Sequence, residues 1–345
     1  MITERMSAGG NTERSTPSAT AVWAALARLG GDRIIFGAAW IAMVVVFTIK
    51  LPGTYLTMPN VSTMLASQAY ILVLALATLL PLTCGDFDLS VASVSGLSAI
   101  LIGVLNGQHD VPILLAMALA VLAGLAVGAL NCLLVVVIGA ETIVVTLGIA
   151  TALFGLILWL SSQTPIAGIS PDLIDAMVGH RLFDIPYVFY YALALCLILW
   201  FVQSFTVLGR RLLFVGQNRD VARLSGVRVN RLRMGSLIAC SGIAALSGIL
   251  AVGVSGAADP NQGPALLLPA YAAAFLGAAA IGRGHFSAWS CFLAVYFLVF
   301  GITGLQQLGA QSFVQEIFYG SALALAVTMA RLSQLWRDAK AGQRA

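Results

Sequence analysis

The chain has 345 residues, of which 60% are hydrophobic and only 9% are charged, with 18 Lys and Arg, 14 Asp and Glu and a formal net charge of +4. Soluble domains carry about 25% charged residues, so this composition excludes a soluble globular protein and predicts an all-α, polytopic transmembrane helical bundle. The five cysteines form no CxxC or Cys/His cluster, so neither a disulfide framework nor a metal site is predicted.

The polar segment 1–33 lacks the apolar core of a cleaved signal, and we expect a disordered cytosolic N-terminal tail there. A transmembrane domain follows at 34–332, and residues 333–345 form a cytosolic C-terminal tail. Because a span needs about 20 apolar residues, we predict about ten spans. Their approximate positions are 34–50, 62–83, 88–105, 112–138, 141–162, 186–205, 234–256, 266–281, 286–304 and 313–330.

The distribution of arginine and lysine predicts the orientation. Arg28 and Arg33 precede the first span, and further basic residues follow the last one, so both termini are placed in the cytoplasm. Six crossings then leave the basic loop 206–233 inside, and five leave 163–185, with three aspartates and one arginine, outside. Eight spans would place the two termini equally well.

The basic loop contains a short helix signal. Between Gly209 and Arg233 the chain has seven arginines and a single aspartate. Asn218 is a suitable N-cap, and Gly226 suits the left-handed position that ends a helix. Such a short helix is unstable alone in water, so we expect it either to rest on lipid headgroups or to dock a cytosolic partner. The docking candidates are Asn218, Arg219, Asp220, Val221, Ala222, Arg223, Leu224, Ser225 and Gly226.

Two other stretches place polar residues within apolar runs. In Gly85–Ala99, GDFDLSVASVSGLSA, the pair Asp86 and Asp88 lies near the membrane, where ionisable residues are functional candidates. Asp88 is equally suited to cap the third span. Asn131 is a lone amide that must hydrogen-bond either to a neighbouring helix or to a polar solute. The Pro and Gly residues just before Asp86 predict a break in the chain.

Several catalytic signatures are missing from the sequence. There is no GxxxxGK[ST] phosphate-binding loop, and neither Lys50 nor Lys340 follows a glycine. His109, His180 and His285 are isolated, so no HExxH motif or catalytic triad is visible. We therefore expect no enzyme activity, no catalytic residue, no metal and no cofactor in this chain.

Five segments in order resemble motifs of the permease subunits of ribose-type sugar ABC importers, in the branched-chain amino acid and sugar permease superfamily. They are Cys84–Ser93 (CGDFDLSVAS), Gly128–Val135 (GALNCLLV), Thr142–Gly148 (TIVVTLG), Gly216–Val227 (GQNRDVARLSGV) and Gly304–Phe313 (GLQQLGAQSF). The resemblance covers about residues 40–332.

The resemblance implies a multi-pass permease of the bacterial inner membrane that imports a monosaccharide or polyol. It implies four kinds of partner: a second permease copy or sister subunit, a cytosolic ATPase that carries ATP and Mg²⁺, a periplasmic solute-binding protein, and lipid, with no nucleic acid. The ATPase would grip 218–226. The candidate translocation-pathway residues are Asp86, Phe87, Asp88, Ser90, Asn131 and Thr146.

The sequence departs from the family pattern in three places. Ala92 replaces a glycine, Ala140 and Glu141 stand where the family has a proline, and Gly277–Gly284 (GAAAIGRG) replaces a polar turn. The sugar is therefore not assigned. Alternatives are an ABC permease for branched-chain amino acids or nucleosides, an ion-coupled carrier that uses Asp86 or Asp88, and a membrane protein without transport activity.

Overall fold

The computed structural model describes residues 31–282 and 284–342, so most of the predicted tail at 1–33 and the side chain of Arg283 lie outside the described residues. The first half of the chain contains α1 (Gly31–Lys50), α2 (Met58–Ser67), α3 (Ala69–Thr83), α4 (Val91–Ile102), α5 (Ile113–Cys132) and α6 (Thr142–Ser161). Next come a short α7 (Pro171–Ile174) and a two-stranded antiparallel hairpin of β1 (Arg181–Leu182) and β2 (Ile185–Pro186). The second half contains α8 (Tyr187–Phe205), α9 (Val207–Gln217), α10 (Arg219–Leu224), α11 (Val229–Ser255), α12 (Gln262–Ala280), α13 (Ala288–Gln307) and α14 (Ser312–Gly342).

The predicted all-α bundle is confirmed. Nine helical segments within the described ranges are long and apolar enough to cross a membrane, and α2 with α3 counts as one of them. The tenth predicted span corresponds to a shorter apolar stretch, Ser312–Thr328, at the start of α14. This helix then continues into the predicted C-terminal tail as far as Gly342.

The helices separate into a buried group and a lipid-facing group. Most residues of α3, α4, α11, α12 and α13 are buried, whereas α1, α5, α6 and α8 expose most of theirs. The exposed side chains are large and apolar, such as Leu114 on α5, Val144 on α6 and Ile198 on α8. An apolar exterior of this kind is what lipid requires, so the outer helices present the membrane surface.

Small residues allow α11 to approach α4 and α5 closely. A Cβ added at Gly128 of α5 would lie 2.9 Å from Ile238 Cα and 2.9 Å from Ser241 Cβ of α11. A Cβ at Gly248 of α11 would collide with the carbonyl oxygen of Ser95 on α4. Close backbone approach through small residues is a common basis of helix association in membranes.

We expect Gly248→Leu to destabilise the bundle by about 3 kcal/mol, because the new side chain must displace the backbone of α4 rather than a flexible side chain. The measurement is the thermal unfolding temperature in detergent. Gly155→Leu is the matched control, since a Cβ there meets no atom within 4 Å. Equal unfolding temperatures for the two variants would contradict the close packing of α4 and α11.

The chain is irregular between α3 and α4. Pro81 lies in the last turn of α3, and Gly85 has a φ of +76°, a backbone conformation that glycine adopts without strain. Residues 84–90 therefore form a non-helical segment, which we call the acidic loop because it carries Asp86 and Asp88. The predicted break is confirmed.

The two ends of α11 mark the two sides of the bundle. Arg233 lies in its first turns, next to the acidic loop, whereas a Cβ added at Gly253 would touch Met177 of the segment after α7. Twenty residues of α-helix span about 30 Å, the thickness of a bilayer core. The acidic loop and the 163–185 segment therefore lie at opposite membrane surfaces, as the charges predict.

Candidate functional site

The predicted short helix is present as α10. The side chain of Asn218 accepts hydrogen bonds from the amides of Asp220 and Val221, at 3.0 Å each. Gly226 follows the helix with a φ of +80°. Both predicted ends are confirmed, because an N-cap oxygen and a left-handed glycine satisfy the free backbone groups of a short helix.

The inner side of α10 is anchored in a small apolar cluster. Ala222 is fully buried together with Cys84 of the acidic loop, Leu212 and Val215 of α9, and Val229 of α11. Burial of this cluster stabilises a helix that is too short to persist alone. A shift of α10 would therefore disturb the acidic loop.

The outer side of α10 is free for contact. Leu224 is 88% exposed, and Val221 and Arg223 are also exposed. The outer side therefore combines an apolar side chain with an arginine, and arginine is enriched at protein interfaces.

Arg219 points away from that surface and reaches the acidic loop. Its Nη2 lies 3.1 Å from the carbonyl oxygen of Cys84, 2.9 Å from that of Gly85, and 2.9 Å from Oδ1 of Asp86. A Cβ added at Gly216 would also collide with the carbonyl of Thr83. The chain around α10 is thus held directly against the end of α3.

Asp86 is the centre of an ion-pair network. Its side chain is only 1% exposed, and it forms ion pairs with Arg219 and with Arg233 of α11. Nε and Nη2 of Arg233 donate to the two carboxylate oxygens at 2.7 Å each. Thr142 at the start of α6 donates to Oδ1 at 3.1 Å. A buried carboxylate needs such donors to offset the cost of removing it from water. One side chain therefore connects α10, α11, α6 and the acidic loop.

A cavity of about 390 Å³ opens beside this network. Asp86 and Phe87 line it together with Arg219 and Arg223 of the short helix. Since a single space touches both predicted sets of residues, the structure brings the docking candidates and the acidic loop together. No sequence pattern predicts this contact.

A buried polar chain begins at Asp88, deeper in the bundle. Its Oδ1 accepts from the amide of Ser90 at 3.0 Å and from the hydroxyl of Ser90 at 2.6 Å. Asn131 of α5 donates to the same hydroxyl at 2.8 Å. Asp88 thus caps the turn that leads into α4, and Asn131 bonds to the acidic loop just before α4, whereas the sequence left a neighbouring helix and a polar solute as alternatives. All three side chains are fully buried.

Unpaired acceptors remain along this chain. Among the described residues, Oδ2 of Asp88 and Oδ1 of Asn131 are buried and have no hydrogen-bond partner. Two further buried atoms in the described part of the chain have no partner: Oγ of Ser241 on α11, and Oε1 of Gln68, which lies at the opposite end of α3 from the acidic loop. Buried polar atoms are nearly always paired, so these unpaired atoms are notable.

The other candidates, Phe87 and Thr146, lie on the remaining sides of the loop. Thr146 accepts from the amide of Leu89 at 3.1 Å. The ring of Phe87 lies nearly parallel to the rings of Tyr271 and Phe275 of α12, with centroids 6.5 and 6.1 Å away. The Tyr271 hydroxyl donates to the carbonyl of Asp88 at 2.9 Å. All six candidate pathway residues therefore contact the acidic loop or belong to it.

Sequence reasoning missed Arg233, Tyr271, Thr142 and Gln68. Arg233 was one of seven arginines in a stretch, and nothing in the stretch distinguished it as a partner of Asp86. Gln68 gave the clearest signal, as a lone amide inside an apolar run. Tyr271 carried none, because an aromatic residue in a span is ordinary.

Comparison with known proteins agrees with this architecture. A family model described as branched-chain amino acid transport system / permease component matches residues 60–332. The autoinducer 2 import system permease protein LsrD of Yersinia pestis (strain Pestoides F) is 32% identical over 262 residues, which cover 74% of this chain and 78% of the relative. The protein of the same name from Salmonella paratyphi B is 31% identical over 271 residues, which cover 77% and 81%. No solved structure matches.

The family match covers the acidic loop, the short helix and the spans that follow α1. The resemblance predicted from the sequence motifs is confirmed at the level of the superfamily. The chain therefore belongs to the family of branched-chain amino acid transport system permease components, and it is a multi-pass ABC permease of the inner membrane.

Proposed function

We propose that this chain is the non-enzymatic translocating subunit of an importer for a monosaccharide or polyol. A periplasmic binding protein would deliver the solute, and a second permease copy or sister subunit would complete the pore. ATP and Mg²⁺ would act on a separate ATPase subunit. That ATPase would dock on residues 218–226, here called the coupling helix.

The observation that carries the proposal is the path from the coupling helix to the acidic loop. Arg219 of the coupling helix contacts Asp86, and Asp86 lies two residues before Asp88, where the buried polar chain begins. A transport cycle needs a partner that binds two states of the permease with different affinity. Movement of the coupling helix would reposition the loop through these contacts.

The buried acceptors support a hydroxyl-rich solute. Asp88 and Asn131, which are linked through the Ser90 hydroxyl, each carry an oxygen that lacks a donor among the described residues. A sugar or polyol supplies hydroxyl donors, and this pair of acceptors within an apolar bundle would bind them in place of water. The relatives' names specify autoinducer 2 as their solute, and the solute of this chain is a separate question.

A branched-chain amino acid is the alternative solute, because the family description names it. It would bring an ammonium group that donates hydrogen bonds as well as a carboxylate that accepts them, so the free acceptors are compatible with both solutes. Competition against the labelled solute in an uptake assay separates the two solute classes. Unlabelled pentoses and polyols should reduce uptake of the labelled solute, whereas leucine should not. Competition by leucine alone would favour the alternative.

Docking by the coupling helix predicts a specific double variant. Arg223→Glu with Leu224→Asp reverses the charge and removes the apolar anchor of the outer side while leaving buried Ala222 in place. We expect solute uptake to fall at least about tenfold, since two interface anchors are lost. Insertion in the membrane should be unchanged, and the partner ATPase should no longer co-purify.

The matched control is Arg210→Glu, which changes an exposed arginine on α9 that lies outside the coupling helix. It should leave uptake and co-purification near those of the native chain. Normal uptake by the Arg223→Glu, Leu224→Asp variant would remove the docking role from this helix.

A further inference from the structure

A cavity of about 480 Å³ lies on the predicted cytosolic side, behind the coupling helix. It is lined by Arg211 of α9, by Arg228 and Arg231 around the start of α11, and by Ser225 and Gly226 at the end of the coupling helix. All three arginines are exposed, and their side chains form no ion pair or hydrogen bond with any described residue. The single acid of the surrounding segment, Asp220, does not line the cavity. The cavity is therefore strongly cationic.

A second, apolar groove of about 270 Å³ continues from the cationic cavity, and Arg231 and Leu232 line both. Its walls come from α3, α8, α9 and α11, and include Leu80, Leu199 and Ile243. From Arg231 to Ile243 the helix α11 rises about 18 Å. That distance is close to the depth of one leaflet, about half of a 30 Å hydrocarbon core.

The surroundings have the features of a membrane interface. Helix α9 buries Leu212 and Val215 but exposes Arg210 and Arg211. The preceding end of α8 exposes aromatic side chains, including Trp200. Amphipathic helices and tryptophans of this kind lie at the level of lipid headgroups. The arginines thus stand at headgroup depth, and the groove runs from them towards the membrane centre.

We propose that these two cavities together bind one anionic phospholipid of the inner leaflet. The phosphate would lie among Arg211, Arg228 and Arg231, and an acyl chain would lie in the groove beside Gly235. Basic pockets between transmembrane helices on the cytoplasmic side suit anionic headgroups. The apolar groove is what distinguishes a lipid from a soluble phosphate or an acidic protein segment, because neither would need it. The lipid would contact α9 and α11, which flank the coupling helix.

The test is titration of the delipidated full-length chain with phosphatidylglycerol or phosphatidylcholine of identical acyl chains, followed by native mass spectrometry. The native chain should prefer phosphatidylglycerol. Arg228→Gln with Arg231→Gln should weaken phosphatidylglycerol binding about 25-fold, at about fivefold for each arginine near the surface. Its matched control is Arg210→Gln, which lines neither cavity and should change binding by less than about threefold.

Gly235→Leu tests the groove separately. A Cβ there meets no atom within 4 Å, so leucine can fill the groove without displacing a neighbour. We expect weaker binding of both lipids, whereas Gly148→Leu, at an equally open position on α6, should have no effect. If the double arginine variant fails to fold, Arg211→Gln on α9 replaces it, and we expect phosphatidylglycerol binding to weaken about fivefold.

Three results would overturn the proposal. The first is equal binding of the two lipids by the native chain. The second is unchanged phosphatidylglycerol binding after the arginine substitutions. If those variants lose the partner ATPase but keep the lipid, the cavity is a protein contact site. The third is unchanged binding by Gly235→Leu, which would leave an anion site without a lipid. Each readout is independent of solute uptake, so a failure here leaves the proposed transport function intact.

Discussion

Asp86→Asn is expected to destabilise the chain by about 2–3 kcal/mol, because it leaves Arg233, whose side chain is 14% exposed, without an opposite charge, while Arg219, at 37% exposed, stays partly solvated. Arg219 and Arg233 both donate to this carboxylate, and its side chain is 1% exposed. The measurement is thermal unfolding in detergent together with solute uptake in vesicles. Both should fall sharply, since the same contacts hold the acidic loop and connect it to the coupling helix.

Asp184→Asn is the matched control, because Asp184 is exposed and makes no ion pair with the described residues. It should leave both quantities unchanged. Adding Arg233→Gln to Asp86→Asn should recover part of the lost stability, since it removes one uncompensated charge. Recovery of stability without recovery of uptake would separate the coupling role from the structural one. A native unfolding temperature for Asp86→Asn alone would contradict the network.

ATP hydrolysis, rather than an ion gradient, is expected to drive uptake. Uptake should fall to background when the partner ATPase carries a substitution that blocks hydrolysis, and a protonophore should leave it within about twofold of the native rate. Both oxygens of Asp86 are engaged by donors from three residues, which suits a structural ion pair rather than a proton carrier. The measurement is initial uptake in proteoliposomes with and without each treatment.

Asp88→Asn further distinguishes an ATP-driven importer from an ion-coupled carrier. An asparagine oxygen can still accept from the amide and hydroxyl of Ser90, so the turn before α4 should persist. We expect uptake to fall about threefold to tenfold, because an NH2 group replaces the free acceptor Oδ2 that would bind a solute hydroxyl. Complete loss of uptake by this variant, with collapse of native uptake by the protonophore, would instead favour an ion-coupled carrier.

Much of the architecture could be predicted from the sequence, because the bilayer imposes simple rules. Apolar runs of the required length became helices, and the arginine pattern placed the basic loop and the 163–185 segment at opposite surfaces, as the ends of α11 show. The ends of the coupling helix followed from Asn218 and Gly226, whose local backbone chemistry needs no tertiary context.

The contact between Asp86 and Arg233 could not be predicted, since 147 residues separate them and any of seven nearby arginines would have satisfied the charge. The faces through which the helices contact one another could not be predicted either. In α11 almost every position is apolar or small, so the sequence does not show which side receives Gly124 and Gly128 of α5. The unpaired acceptor of Gln68 depends on where neighbouring helices end, which periodicity does not encode.

The most direct test that the coupling helix moves the acidic loop uses Cys84, which is fully buried beneath Ala222 of the coupling helix. Burial raises the pKa of its thiol to about 11, so alkylation at neutral pH should be slow. The measurement is the rate of maleimide labelling in a chain whose other four cysteines are replaced by alanine, assembled with its ATPase. ATP binding should change this rate by about tenfold, equivalent to 1.4 kcal/mol of altered packing, and the Arg223→Glu, Leu224→Asp variant should not respond. An identical rate with and without ATP would contradict the claim that the coupling helix moves the acidic loop.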